Sequence, residues 1–89
     1  MRAIHYGKAF EKSLKRMLRR GKNAEDIKKV IVALANGQPL DRKYKDHALV
    51  GDFAGFRDCH IEPDWLLIYR IRDDAVFLEK TGTHSDLFG

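Results

Sequence analysis

The sequence predicts an α+β domain in which a hairpin of two antiparallel helices packs on a mainly antiparallel four-stranded sheet. Two observations carry this prediction. Residues 8–35 twice repeat apolar side chains at helical spacing, and residues 56–81 hold three successive strand patterns separated by short turns. Helices first and paired strands after are typical of the α+β class. The 89 residues have room for one domain, residues 1–89.

The first helix is predicted between Lys8 and Arg20, after a short opening strand at residues 3–6. Its apolar stripe follows the spacing i, i+4, i+7, i+8 and comprises Phe10, Leu14, Met17 and Leu18. Gly21 is placed to end this helix in a left-handed conformation. Asn23 is expected to cap a second helix, which Gly37 ends. The stripe of that helix comprises Ile27, Val30, Ile31 and Leu34. The short connection predicts an antiparallel helical hairpin.

Residues 38–55 show no sustained period and are predicted to form an ordered connector. Its expected anchors in the core are Leu40, Tyr44 and Leu49. A connector of this length in a small domain is usually functional. The predicted strands after it are residues 56–61, 65–72 and 75–81, joined by turns at Glu62-Pro63-Asp64 and Asp73-Asp74.

Charge is distributed unevenly along the chain. The net charge is +4, yet residues 1–22 alone carry +7 and the remainder sums to −3. This asymmetry indicates either a docking surface for an anionic partner or a solvated helix face. No apolar run approaches the length of a membrane span, and no signal peptide is visible, so a cytoplasmic location is expected. The single cysteine, Cys59, cannot form an internal disulfide and is expected to be a small buried hydrophobe.

Three of the four histidines fall after residue 46. His47 lies in the connector, His60 near a strand end and His84 just past the last strand, whereas His5 is assigned no role. Asp64 and Trp65 follow His60 at a turn near the same edge. A single helical turn capped by Thr83 would place His84 and Phe88 on one side, since they are four residues apart.

These residue types suit the cleavage of RNA without a metal. Such a reaction needs a base for the 2′-hydroxyl proton and an acid for the leaving 5′-oxygen, and histidine serves both near neutral pH. Asp64 can hold a histidine in its charged form or act as the base itself. Trp65 and Phe88, each by default a core residue, could stack a nucleotide base.

Other chemistries are disfavoured by the sequence. A metal site built from His47, His60, Asp64 and His84 matches no zinc spacing. A Cys59–His60 nucleophile pair is disfavoured because neighbouring strand residues point to opposite faces. Glycine-rich phosphate and dinucleotide motifs are absent, so no cofactor is predicted.

The chain resembles a known family in three stretches that make up about half of it. They are residues 44–49 (YKDHAL), 55–69 (GFRDCHIEPDWLLIY) and 81–88 (TGTHSDLF). They keep the order His, His-x-x-x-Asp-Trp and His-x-x-x-Phe, and on them the chain resembles the YafQ-type toxins of the RelE/ParE superfamily. Ala48 and Phe53 depart from the residues that many relatives have there, which puts the connector's path in question.

The resemblance implies a RelE-like microbial RNase fold and an mRNA interferase that cuts the message in the ribosomal A site. It places the active site at His47, His60, Asp64, Trp65, His84 and Phe88. His84 would be the general acid, and the base is left open between His60 and Asp64. It also implies a partner, an antitoxin of the DinJ/RelB kind, and no metal.

Two functions of other classes are the alternatives. A ParE-like protein would poison DNA gyrase without cleaving anything, and it would have no need of a His/Asp/Trp cluster. A plain RNA- or ribosome-binding module would use only the basic helices. Whether expression stops translation or replication first separates a nuclease from a gyrase poison.

Overall fold

A computed structural model describes the whole chain, residues 1–89, as three helices and a five-stranded sheet. The strands are β1 (Ala3–Tyr6), β2 (His47–Ala48), β3 (Arg57–Glu62), β4 (Trp65–Arg72) and β5 (Ala75–Gly82). The helices are α1 (Lys8–Arg19), α2 (Ala24–Ala35) and α3 (His84–Phe88). The predicted α+β class is therefore confirmed.

The sheet has the strand order β1-β5-β4-β3-β2. Three of its neighbouring pairs are antiparallel, and β1 lies parallel to β5. The predicted count of four strands was one too few, because His47 and Ala48 of the connector pair with Asp58 and Arg57. A two-residue strand leaves no alternation to detect in a sequence.

The first helix ends and the second begins where the capping residues predict. Gly21 has φ +95°, and the N–H of Lys22 reaches the carbonyl of Met17 at 3.1 Å, which closes α1 in a Schellman motif. Asn23 caps α2, since its side chain accepts from the Glu25 N–H at 2.9 Å. Asp73 and Asp74 form the turn between β4 and β5. Both have positive φ, as a type I′ turn requires.

The core lies between the helices and one face of the sheet. Its buried members are Phe10, Met17, Ile27, Val30, Ile31, Leu34, Cys59, Trp65, Leu67, Tyr69, Val76 and Leu78. Leu40 and Tyr44 anchor the connector against this cluster, as expected, whereas Leu49 is half-buried outside it. Leu18, assigned to the apolar stripe of α1, is 37% exposed and lies outside the core.

The opposite face of the sheet carries a different set of residues. Register and alternation place Asp58 and His60 of β3 there, with Phe56 just before that strand, Arg70 of β4 and Phe77 of β5. We call this the distal face, because α1 and α2 pack on the other one. None of the helices combines the length and apolarity that crossing a membrane requires.

Candidate active site

Three histidines from separate segments meet at one end of the distal face. The ring centroids of His47 and His60 are 6.3 Å apart, and those of His60 and His84 are 5.4 Å apart. The strand β2, the end of β3 and the first turn of α3 carry them. His60 and His84 line a cleft of about 590 Å³, together with Lys43, Tyr44 and Lys45.

Asp64 fixes the orientation of His84. Its Oδ1 accepts the backbone N–H of His84 at 2.9 Å and lies 2.6 Å from the ring Nδ1. The backbone hydrogen bond and then the ring hydrogen bond hold the pKa of Asp64 below its usual value, so the carboxyl stays ionised. Because Nδ1 is engaged with Asp64, Nε2 of His84 is left to face a substrate.

A capping box and an arginine hold the short helix that carries His84. The Thr83 hydroxyl accepts from the Asp86 N–H, and Asp86 accepts from the Thr83 N–H. Arg20, at the end of α1, donates two hydrogen bonds to Asp86, at 2.6 and 3.2 Å. This arginine is the largest cause of the strongly lowered pKa of Asp86. Gly82 is required beside it, since a Cβ there would lie 2.9 Å from the Cβ of Asp86.

His60 is held by the turn that follows its strand. Its Nδ1 lies 3.3 Å from the carbonyl oxygen of Pro63. A carbonyl only accepts hydrogen bonds, so Nδ1 carries the proton and a neutral His60 has its lone pair on Nε2. Such a nitrogen can accept a proton from a substrate hydroxyl.

Asp58, which no sequence motif singled out, lies behind His47. His47 Nδ1 is 2.8 Å from the Lys45 carbonyl oxygen and 3.1 Å from Asp58 Oδ1. The proton points to the carbonyl, so the Asp58 contact is electrostatic and Oδ1 has no hydrogen-bond partner. Burial raises the pKa of Asp58, against the opposing effect of His47, then His60 and His84. In the sequence, only the alternation of side chains along the strand pointed to Asp58, because it places Asp58 on the same face as His60.

The connector is fixed to the sheet immediately before His47. Asp46 accepts from Arg57 Nη2 at 3.0 Å and from the hydroxyl of the buried Tyr69. Lys45 turns the backbone there in a left-handed conformation, with φ +49°. Residues 48 and 53 put the path of the connector in question, and a partly buried hydrogen-bond network around Asp46 holds it, together with the packing of Phe53 on Phe56.

The two predicted stacking residues differ in exposure. Trp65 is 0% exposed, and its Nε1 donates to the hydroxyl of Thr81 at 2.8 Å. The expectation that Trp65 stacks a base is therefore wrong, because its strand alternation points it into the core. Phe88 is 46% exposed and its ring lies perpendicular to that of Phe53, with centroids 5.7 Å apart, so the side chain remains partly accessible.

Neither a metal-binding cluster nor a reactive thiol is found. No group of three or more His, Cys, Asp or Glu side chains is placed to hold a metal ion. Burial strongly raises the pKa of the Cys59 thiol, which is consistent with its expected role as a small core residue.

Comparisons with known proteins cover nearly the whole chain. Residues 2–89 match the family described as the bacterial toxin of type II toxin–antitoxin system, YafQ. The mRNA interferase toxin YafQ of Escherichia coli K12 is 43% identical over 89 residues, which is 99% of this chain and 97% of that protein.

Solved structures agree with this match. YafQ in the DinJ–YafQ complex of E. coli has a TM-score of 0.92 at 42% identity, with both chains fully covered. A metal-bound toxin from Helicobacter pylori has the same TM-score at 43% identity, and 99% of this chain and all of that one are covered.

Proposed function

The chain belongs to the YafQ family of toxins of type II toxin–antitoxin systems and, like its E. coli relatives, is an mRNA interferase; we propose that it cuts mRNA in the ribosomal A site by acid–base catalysis without a metal. The observation that carries the mechanism is the pairing of His84 with Asp64, next to His60 in one cleft.

The proposed reaction is an attack of the 2′-hydroxyl on the neighbouring phosphate. A base takes the hydroxyl proton, O2′ bonds to phosphorus, the bond from phosphorus to O5′ breaks, and an acid protonates O5′. The products are a 2′,3′-cyclic phosphate and a 5′-hydroxyl, so all atoms and protons are accounted for. An acid and a base on either side of the phosphorus suffice for this step.

His84 is the proposed general acid. Asp64 occupies its Nδ1, so the proton for O5′ comes from Nε2. An ionised carboxylate at Nδ1 also stabilises the positively charged imidazole that an acid must be at the start of the step. Asp64 acts through His84 and is therefore a positioning residue.

His60 is the proposed base. Asp64 is committed to two hydrogen bonds with His84, whereas the lone pair of His60 Nε2 is free. This difference favours His60 over Asp64 for the role that the sequence left open. The His60 and His84 rings contact each other edge to face, with centroids 5.4 Å apart, so one phosphate bound in the cleft that both rings line is within reach of both side chains.

Charge on the phosphate is stabilised by two further groups in this proposal. His47, whose Nδ1 lies 3.1 Å from the buried carboxylate of Asp58, is next to His60, where its protonated form would offset charge on the phosphate. Lys80 of β5 pairs with Ile68, which in turn pairs with Asp58, so register places Lys80 on the same face. Phe88 offers a ring on which a base can stack.

The proposed partners follow from charge and from the relatives. The ribosome offers a polyanionic surface for the basic helix α1, and a cytoplasmic location goes with such a target. Because E. coli YafQ is solved in complex with DinJ, we also assign this chain a cognate antitoxin that covers the site. No metal is needed for the proposed chemistry, although some H. pylori relatives are metal-bound.

The decisive experiment maps cleavage sites on a defined message, with and without ribosomes. Wild-type protein is expected to cut within the A-site codon, and protein that is first treated with EDTA and then dialysed free of it should cut ribosome-bound message at the same rate. His84→Ala is expected to abolish cutting and growth arrest but to bind the antitoxin, and Lys29→Gln on α2 is the exposed control. Growth arrest by His84→Ala, or an arrest of replication before translation, would contradict the proposal.

A further inference from the structure

Six side chains form a continuous chain of π contacts across the distal face. We call this chain the π track. In order from strand β1 to helix α3, it comprises His5, Phe77, Arg70, Phe56, Phe53 and Phe88. At one end His5 stacks on Phe77, with centroids 4.6 Å apart and planes 7° apart. At the other end Phe88 belongs to α3, the helix that carries His84. The track therefore leads away from the catalytic histidines.

Arg70 is the centre of the π track. Its guanidinium carbon lies 5.2 Å from the ring centroid of Phe56 and 5.4 Å from that of Phe77. Contacts of this kind orient a guanidinium without neutralising it. Arg70 takes part in no ion pair and donates no side-chain hydrogen bond within the protein, so its donors are free for an anion. A guanidinium of fixed orientation suits a phosphate, which it can bind through two parallel hydrogen bonds.

The sheet register gives the distance along β4 from Arg70 to the position that pairs with His60. Leu66 of β4 pairs with His60, and Arg70 lies four residues further along the same strand on the same face. Four residues of a strand span about 13 Å. That distance corresponds to a few nucleotides of an extended single strand.

We propose that the π track binds the single-stranded RNA flanking the scissile phosphate, with Arg70 on a backbone phosphate and the outer face of the exposed His5 ring under a base, while Phe77 between them keeps both oriented. Aromatic platforms combined with cations are the usual way of holding single strands without regard to sequence. An acidic segment of an antitoxin could satisfy Arg70, but it would leave the outer face of His5 without a planar partner. The inference rests on the proposed nuclease function and adds where the rest of its substrate lies.

The test measures binding of 2′-O-methyl RNA, which lacks the attacking hydroxyl, as a dinucleotide and as a longer oligonucleotide extended on both sides. Arg70→Gln is expected to weaken binding of the longer oligonucleotide about tenfold, the equivalent of one charge-assisted hydrogen bond. The slope of log K against log salt should fall in magnitude by about 0.7, as expected when a protein neutralises one phosphate fewer on a single strand. Dinucleotide binding should not change, and Arg70→Lys should be intermediate.

Two controls keep the test decisive. Lys29→Gln removes one charge from α2, on the other side of the sheet, and should leave both affinities unchanged. If Arg70→Gln unfolds, Phe77→Leu carries the test, since it keeps the charge, removes the ring that orients Arg70 and His5 and is expected to bind the longer oligonucleotide more weakly.

Other outcomes would overturn the proposal. One is equal affinity of wild-type protein for the short and long oligonucleotides. Another is an Arg70→Gln variant that keeps its RNA affinity and loses affinity for the cognate antitoxin. Cleavage of message in a translating extract is scored separately, so a failure of the π track is distinguishable from a failure of the nuclease function.

Discussion

At the scale of single residues, the site depends on two carboxylates that act on histidines in different ways. Asp64 is exposed and ionised and holds the ring of His84 through Nδ1. Asp58 is buried at 3% side-chain exposure and lies 3.1 Å from His47 Nδ1 without a hydrogen bond. One carboxylate orients its histidine, and the other is destabilised in its ionised form by its own burial.

Asp64→Asn is expected to lower the cleavage rate by about 10² or more, the usual contribution of a general acid. The asparagine can still contact His84 but cannot stabilise its positive charge. Because the pKa of Asp64 is lowered in the fold, its contribution is present at neutral pH and is lost only as pH falls through that lowered value. The measurement is a pH–rate profile, whose alkaline limb should move to lower pH.

A substrate with sulfur in place of the scissile 5′-oxygen separates this role from misfolding. Thiolate leaves without protonation, so such an RNA should restore the rate of both Asp64→Asn and His84→Ala. A base variant, His60→Ala, should not be rescued. Failure of the sulfur substrate to rescue His84→Ala would show that His84 is not the acid.

Asp58→Asn is expected to stabilise the protein while it impairs cleavage. The pKa of Asp58 is raised in the fold, so the ionised form opposes folding at high pH and this penalty disappears as pH falls through the raised value. We expect the free energy of unfolding in urea to rise by about 0.5–2 kcal/mol at pH 8, above the range in which imidazoles carry charge. The gain should shrink as pH falls toward the raised pKa of Asp58, and a loss of stability at pH 8 would contradict the assignment.

At the scale of elements, α3 is too short to be a stable helix without contacts from other parts of the chain. Its five residues gain order from the capping box of Thr83 and Asp86 and from the two hydrogen bonds of Arg20. The position of His84 therefore depends on a residue at the far end of α1, 64 positions earlier in the chain.

Arg20→Met is expected to lower kcat for cleavage about tenfold with little change in KM, because a small displacement of His84 misplaces the acid without removing a group that binds substrate. Arg20→Lys should recover part of the loss, since it keeps one of the two hydrogen bonds to Asp86. Arg19→Met is the matched control, because Arg19 is exposed and takes part in no ion pair. An equal loss in both variants would show that charge on α1, and not the contact to Asp86, was responsible.

The elements that the sequence predicted are those with a local signal. Caps at Asn23 and Thr83, the left-handed Gly21 and the Asp73-Asp74 turn were each predictable from their own neighbours. The burial of Trp65 also followed from its position at the start of a strand, and the stacking role expected of it ran against that signal.

The features that the sequence did not predict depend on contacts between distant segments. The strand β2 exists only because β3 pairs with it, and Asp58 matters only because that pairing brings His47 in front of it. The contact of Arg20 with Asp86 joins the end of α1 to the tail, and no spacing rule relates residues so far apart. The periodicity of a single sequence describes one helix or strand at a time, so it does not predict which distant residues contact each other.

At the scale of the whole molecule, the unpaired basic residues of α1 and the catalytic histidines lie on opposite sides of the sheet. Of the eight basic residues in positions 1–22, Arg2, Arg20 and Lys22 are paired with acids. The other five are exposed on α1 and take part in no ion pair: Lys8, Lys12, Lys15, Arg16 and Arg19. Since α1 packs against the face opposite the histidines, one side of the protein can attach to a polyanion while the other cuts.

This separation predicts that binding and cleavage can be lost independently. The double variant Lys12→Gln/Lys15→Gln should sediment with ribosomes less at moderate salt, and the slope of log K against log salt should fall in magnitude by about 0.7 for each phosphate that is no longer neutralised. The cleavage rate per bound ribosome should stay at the wild-type value, because no catalytic group lies on α1. Lys28→Gln/Lys29→Gln removes the same charge from α2 and should bind as wild type does. Equal losses in the two double variants would mean that net charge, rather than the surface of α1, draws the protein to its target.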